Sequence, residues 1–192
     1  MVSSLASRMP ARRRTIAAVM LSLILAAMPV TGSVAQETAP GLLPGGASSL
    51  TETHADWTVS CRLARQEEQP VQLCSLAQQQ TDNQRRRTLA IELQPKGDGI
   101  GGVMVLPFGL TVTQKVTLTI DESEQGFELP FSTCLPAGCL VPITFDAATT
   151  NALRQGATLT VTAAAANGGE VRLAISLAGL ASALDRTREL LK

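Results

Sequence analysis

A chain of 192 residues is enough for one domain with a sizeable core. Its 16 basic and 16 acidic residues cancel to a formal net charge of zero, and only 3% of it is aromatic. Neither a basic surface for a phosphate backbone nor a base-stacking platform is present, so nucleic acid is excluded as a partner class.

In chain order the first element is a leader. Arg8, Arg12, Arg13 and Arg14 form a basic region without an acidic residue, and the apolar run TIAAVMLSLILAAMPV follows from Thr15 to Val30. Ser33 and Ala35 then supply the small residues of a cleavage site. This is the pattern of a secretory signal peptide, residues 1–35, cleaved after Ala35. The run is shorter than the roughly 20 residues of a spanning helix, which argues against an anchor. No cysteine opens the chain after the site, so no lipid anchor is indicated, and no later segment reaches transmembrane length. Removing the leader leaves 12 basic against 16 acidic residues, a net charge of −4.

Residues 36–55 hold Pro40, Pro44, three glycines and several serines and threonines without periodicity. They read as a flexible tether to a domain at 56–192. From Asp56 the hydrophobic period is two. Trp57, Val59 and Cys61 share one face; Leu89, Ile91 and Leu93 alternate with Ala90, Glu92 and Gln94. The same alternation recurs in VTLTI (116–120), TLTVT (158–162) and VRLAIS (171–176). Turn signals separate the runs: TDNQ at Thr81, KGDGIGG at Lys96, DESEQG at Asp121 and NGG at Asn167. One apolar and one polar face per strand predicts antiparallel sheets over a core. The expected fold is all-β: an antiparallel β-sandwich, or open barrel, of about nine short strands with a short internal helix and a C-terminal helix. Asp146 caps the internal helix and Gly156 stops it. Leu177, Leu180, Ala181, Leu184, Arg188 and Leu191 recur at helical spacing in the last segment, whose mixed charges fit packing on the sandwich better than a membrane surface.

All four cysteines, Cys61, Cys74, Cys134 and Cys139, follow the leader, and an even count in an exported chain points to disulfides. Three connectivities are open. The residues favour the local one, because Pro136 and Gly138 suit positions i+1 and i+3 of a type I turn and bring Cys134 opposite Cys139. Cys61 and Cys74 face each other similarly across the first hairpin. Chain-entropy arguments give about 2 kcal/mol for the small ring and about 3 kcal/mol for the larger. Gaps of twelve and four residues, without a C-x-x-C pair or a histidine cluster, do not suit zinc or thiol redox chemistry.

No cofactor or metal is implied, and no catalytic set stands out. His54 is the only histidine, read as an exposed tether residue unless a serine joins it in a pocket. Asp121, Glu122 and Glu124 read as a solvated loop rather than a calcium loop. Arg85, Arg86 and Arg87 form a basic patch at a hairpin end. Trp57 belongs to the core. Pro107 and Gly109 close an apolar strand at a corner whose Phe108 either plugs one end of the sandwich or, if exposed, is a candidate contact.

Together, Trp57-x-Val59-x-Cys61, Cys74, Leu106-Pro107-Phe108-Gly109-Leu110, the strand end Ile120-Asp121, Cys134-x4-Cys139 with Gly138, and Ser176-Leu177-x-Gly179 resemble the invasion associated locus B (IalB) family of alphaproteobacterial exported proteins. The likeness spans about Asp56 to Leu184, with Leu180 where the family usually has phenylalanine after the glycine. It implies a protein of the periplasm or outer envelope with no established enzymatic activity or catalytic residues. The founding member is linked to invasion of host red cells, and a general envelope role is equally consistent. The expectation is a non-enzymatic envelope or invasion-associated module binding an unknown protein or envelope component. The alternatives are a periplasmic hydrolase using His54, or a sandwich that takes a small apolar or glycan ligand near Phe108.

Overall fold

A computed structural model describes residues 43–66, 69–123 and 126–192. The leader and the tether up to residue 42 lie outside the described residues, as does Glu124. The strands are β1 (Ser49–His54), β2 (Trp57–Gln66), β3 (Gln69–Thr81), β4 (Arg87–Lys96), β5 (Gly99–Leu106), β6 (Val116–Ile120), β7 (Gly126–Leu129), β8 (Thr133–Leu135), β9 (Gly138–Phe145), β10 (Thr158–Ala164) and β11 (Glu170–Ser176). The helices are α1 (Ala147–Gln155) and α2 (Leu180–Leu190). A seven-stranded sheet runs β1-β2-β3-β4-β5-β9-β8 and a four-stranded one β11-β10-β6-β7. Neighbours pair antiparallel in both. The all-β expectation holds.

Two expectations are corrected. The described residues form eleven strands rather than about nine. The stretch expected as tether ends early, because Ser49–His54 is strand β1, in register with β2 from Ser49↔Arg62 to His54↔Trp57. Its Ser, Thr and Glu residues hide the alternation from a hydrophobicity reading, since only Leu50 is strongly apolar. Leu43, further back still, is fully buried in the core.

The alternating residues fill the space between the layers. Trp57, Val59, Leu76, Leu89, Ile91, Met104, Val141 and Ile143 from the large sheet meet Leu118, Leu159, Val161 and Ile175 from the small one. Full burial stabilises by about 1.5–3 kcal/mol per large side chain relative to exposure. Asp146 caps α1 by accepting from the Thr149 N–H at 2.8 Å, and the helix ends before Gly156 as the sequence predicts. In α2 the buried face is Leu180, Ala183, Leu184 and Thr187, one step round from the expected stripe. The Thr187 hydroxyl makes this work by donating to the Ala183 carbonyl at 2.7 Å, so a polar residue faces the core satisfied. Leu191 is left exposed.

α2 lies over β1 to β4. The disulfide Cys61–Cys74 joins β2 to β3 in the core, both cysteines being nearly inaccessible. Beside it, the Gln72 side-chain amide donates to the Leu190 carbonyl at the end of α2. The free edge of β11 is closed against the large sheet by side chains rather than by another strand. Trp57 Nε1 and Gln78 Nε2 donate to the Ser176 carbonyl at 2.9 and 3.0 Å, the Ser176 N–H donates to Gln78 Oε1 at 3.2 Å, and Gln80 Nε2 donates to the Ala174 carbonyl.

Candidate interaction face

The stapled hairpin forms one wall of an exposed face. Leu135↔Gly138 closes the turn and Cys134–Cys139 bonds β8 to β9 one residue further in. Cys134 is exposed and Cys139 buried. Gly138 takes φ +134°, and a Cβ there would stand 2.5 Å from the Leu106 carbonyl, so only glycine brings the hairpin this close to β5. Across the turn, the Arg87 guanidinium donates to the Ala137 carbonyl.

The second wall is the corner after β5. Leu110 pairs with Ala165, the Thr111 N–H donates to the Ala164 carbonyl at 2.8 Å, and the Ala166 N–H donates to the Gly109 carbonyl at 2.8 Å. The buried plug is therefore Leu110, and Phe108 points outward at 62% exposure. This settles the two readings of Phe108 in favour of a candidate contact. Between the walls lies a cleft of about 280 Å³ lined by Arg87, Val105, Pro107, Phe108, Pro136 and Gly138 among others. Leu135, on β8, and Val112, after Leu110, are also exposed. The triple arginine splits three ways: Arg87 holds the hairpin, Arg86 pairs with Asp82 at 2.8 Å, and Arg85 turns the chain at φ +61°.

His54 is not a tether residue. It ends β1 with its side chain 20% exposed, and its Nδ1 lies 3.2 Å from the hydroxyl of Ser182 on α2. Glu52 Oε2 stands 3.6 Å from the other ring nitrogen. Serine, histidine and carboxylate do meet, in a constellation no local motif announces. Their bonding is that of a clasp. Ser182 donates its proton to the Gly179 carbonyl at 3.0 Å, and Arg186 donates from Nε and Nη2 to the Glu52 carboxylate at 2.8 Å each while its Nη1 donates to Glu189. The Arg186 bonds hold the Glu52 carboxyl below its ordinary value, and burial opposes only in part. A second clasp, Arg154 to Asp185 at 2.7 and 2.8 Å, ties α1 to α2 and lowers the Asp185 carboxyl.

Asp121 is likewise structural rather than a solvated loop residue. It sits at φ +51° and its carboxylate accepts the N–H groups of Ala157 and Thr158 at 2.9 and 2.8 Å, fixing the entry to β10. Sequence reading missed this because the partners lie 36 and 37 residues away. An open groove of about 660 Å³ beside α1 is lined by Lys96, Phe127, Glu128, Phe145, Asp146 and Thr149 among others, and there Thr149 donates to the Asp146 carboxylate as part of the cap of α1. Among the described residues no group of three His, Cys, Asp or Glu side chains could hold a metal, and no helix is long and apolar enough to cross a membrane.

Comparison with known proteins gives a consistent picture. The family model described as invasion associated locus B (IalB) protein matches residues 57–188. An invasion protein B homolog of Brucella abortus is 43% identical over 153 residues, covering 78% of this chain and 86% of the relative. Invasion protein B of Bartonella bacilliformis is 36% identical over 154 residues, covering 78% and 81%. The crystal structure of invasion associated protein B from Bartonella henselae superposes with a TM-score of 0.67 at 33% identity, covering 73% of this chain and 96% of that one.

Proposed function

Since the chain belongs to the invasion associated locus B family, we propose that it is a non-enzymatic interaction module of the cell envelope, exported and cleaved after Ala35, whose contact face is the stapled hairpin with Phe108. The observation that carries this is Phe108 itself, a large aromatic left 62% exposed while its neighbour Leu110 is buried. An exposed aromatic over a small cleft with an arginine at its side is the composition of an interface anchor. The two disulfides support export, because such bonds persist outside the reducing cytoplasm. The names of the relatives, invasion protein B, support an invasion-associated role.

The test compares the exported chain with its Phe108→Ala variant in capture from bacterial envelope and host-cell membranes. Loss of captured partner by about tenfold or more, with folding unchanged, is the expected result. Equal capture by both proteins would remove the face from the reading, and release of bound lipid or sugar instead of protein would reassign it to a small ligand. The contact of Ser182 with His54 is the one observation that favours a hydrolase. Ester or peptide hydrolysis lost in both His54→Ala and Ser182→Ala would carry that second reading.

A further inference from the structure

We propose that β1 is a dimerisation edge, pairing antiparallel with β1 of a second copy to join two seven-stranded sheets into one. The inference rests on an asymmetry among the four sheet edges. β11 has its carbonyls capped by Trp57, Gln78 and Gln80. β7 is four residues long and runs into Pro130. The β9 edge is partly covered by β8, and beyond it stands Pro142. The Ser132 N–H donates to the Leu140 carbonyl, so even-numbered residues of β9 present their backbone groups to that edge, and Pro142 has no N–H to present. These are the devices by which sheets avoid pairing with other chains.

β1 carries none of them. It is six residues long, without proline, lysine or bulge, and is the terminal strand of its sheet. Its polarity follows from the disulfide behind it. Cys61 and Cys74 are directly opposed at 4.1 Å between Cα atoms, a pair that does not exchange backbone hydrogen bonds. Cys61 therefore turns its N–H and C=O to Leu50, and by alternation Leu50, Glu52 and His54 bond to β2. Ser49, Thr51 and Thr53 present theirs outward, with side chains exposed and no backbone partner on that side among the described residues.

A free row of backbone donors and acceptors is recognised by an extended strand. A second copy fits because the row is complementary to itself. With Thr51 on a two-fold axis, Thr51 meets Thr51, Ser49 meets Thr53 and Leu50 meets Glu52. Outward groups meet outward groups, and the exposed face gains Ser–Thr and Thr–Thr cross-strand pairs. The adjacent register, centred on Glu52, would oppose two like charges. Glu52 brings no unpaired charge to the interface, because Arg186 of its own chain binds it.

Sedimentation of the exported, oxidised chain over a concentration series tests this. The expected result is a dimer, with the Thr51 and Thr53 amides exchanging more slowly as concentration rises while Leu50 and Glu52 are protected throughout. Thr51→Pro removes the N–H on the axis without touching the β2 ladder and is expected to weaken the dimer by about tenfold or more. Thr51→Lys, which faces its own copy across the axis, serves if the proline variant does not fold, and Phe108→Ala leaves the dimer intact. A monomer at every concentration, or a dimer unchanged in a folded Thr51 variant, overturns the proposal.

Discussion

A methyl group on Gly179 would stand 2.0 Å from the carbonyl oxygen of His54, inside any permitted contact. Gly179 also holds φ +88°, as the residue that opens α2, and the neighbouring Ala178 carbonyl accepts the Asp56 N–H at 3.3 Å. The β1–β2 turn and the start of α2 are thus seated on one another. Gly179→Ala is expected to cost about 3 kcal/mol in urea unfolding. Gly179→Asn tolerates the left-handed backbone but not the contact. A loss as large as that of alanine identifies the close approach, not the dihedral, as the main cause.

The two staples are expected to differ. Cys61 and Cys74 are buried beneath α2, whereas Cys134 is exposed. Graded treatment of the folded protein with a thiol reductant, followed by alkylation and peptide mapping, should label Cys134 and Cys139 well before Cys61 and Cys74. Replacing Cys61 and Cys74 by alanine together should cost about 3 kcal/mol and the Cys134/Cys139 pair about 2 kcal/mol, following the sizes of the closed loops.

Acid should loosen α2 before the sandwich. Glu52 is held below its ordinary 4.5 by the Arg186 hydrogen bonds, and Asp185 below its ordinary 3.8 by Arg154. A carboxylate depressed in the folded state stabilises fully above its unfolded pKa, and that contribution is lost as pH falls through the folded value. Melting temperature should therefore fall as pH drops below about 4.5. The difference between wild type and the Glu52→Gln, Asp185→Asn variant, present near neutrality, should shrink over the same window. A difference that persists unchanged at low pH would assign the effect to something other than these ion pairs.

The run of glutamines at 78–80 alternates in role. Gln78 is buried and bridges both backbone groups of Ser176, while Gln79 is exposed on the opposite face. Gln78→Ala leaves the half-buried Ser176 N–H without this partner and is expected to cost about 2 kcal/mol in thermal or urea unfolding. Gln79→Ala should stay within about 0.5 kcal/mol of wild type.

Much of the fold was legible because strand alternation reports burial directly: Trp57, Val59, Leu89, Ile91, Leu93, Leu159 and Val161 all lie inside as read. The cap at Asp146 and the turn around Pro136 and Gly138 were legible for a related reason, since each depends on residues a few positions apart. β1 was not, because an edge strand over a helix needs little apolar content, and Glu52 earns its place through a side chain 134 residues away. Long sequence separation likewise hid the meeting of His54 and Ser182 and the roles of Asp121 and Gln78. The candidate face was half legible: the corner at Phe108 and the hairpin were each visible, but not that they lie side by side, nor that Leu110 takes the interior position.

Leu43 and β1 stand outside the stretch 57–188 that the family model matches, yet one is fully buried and the other is bonded along its whole length. The folding unit is thus larger than the stretch that the family model matches. A fragment cut to the matched stretch would lose Glu52, the anchor of Arg186, and turn β2, with its apolar inner row, into a raw edge. Such a fragment is expected to aggregate where the longer chain stays in solution. The boundary for working with this domain lies before Leu43.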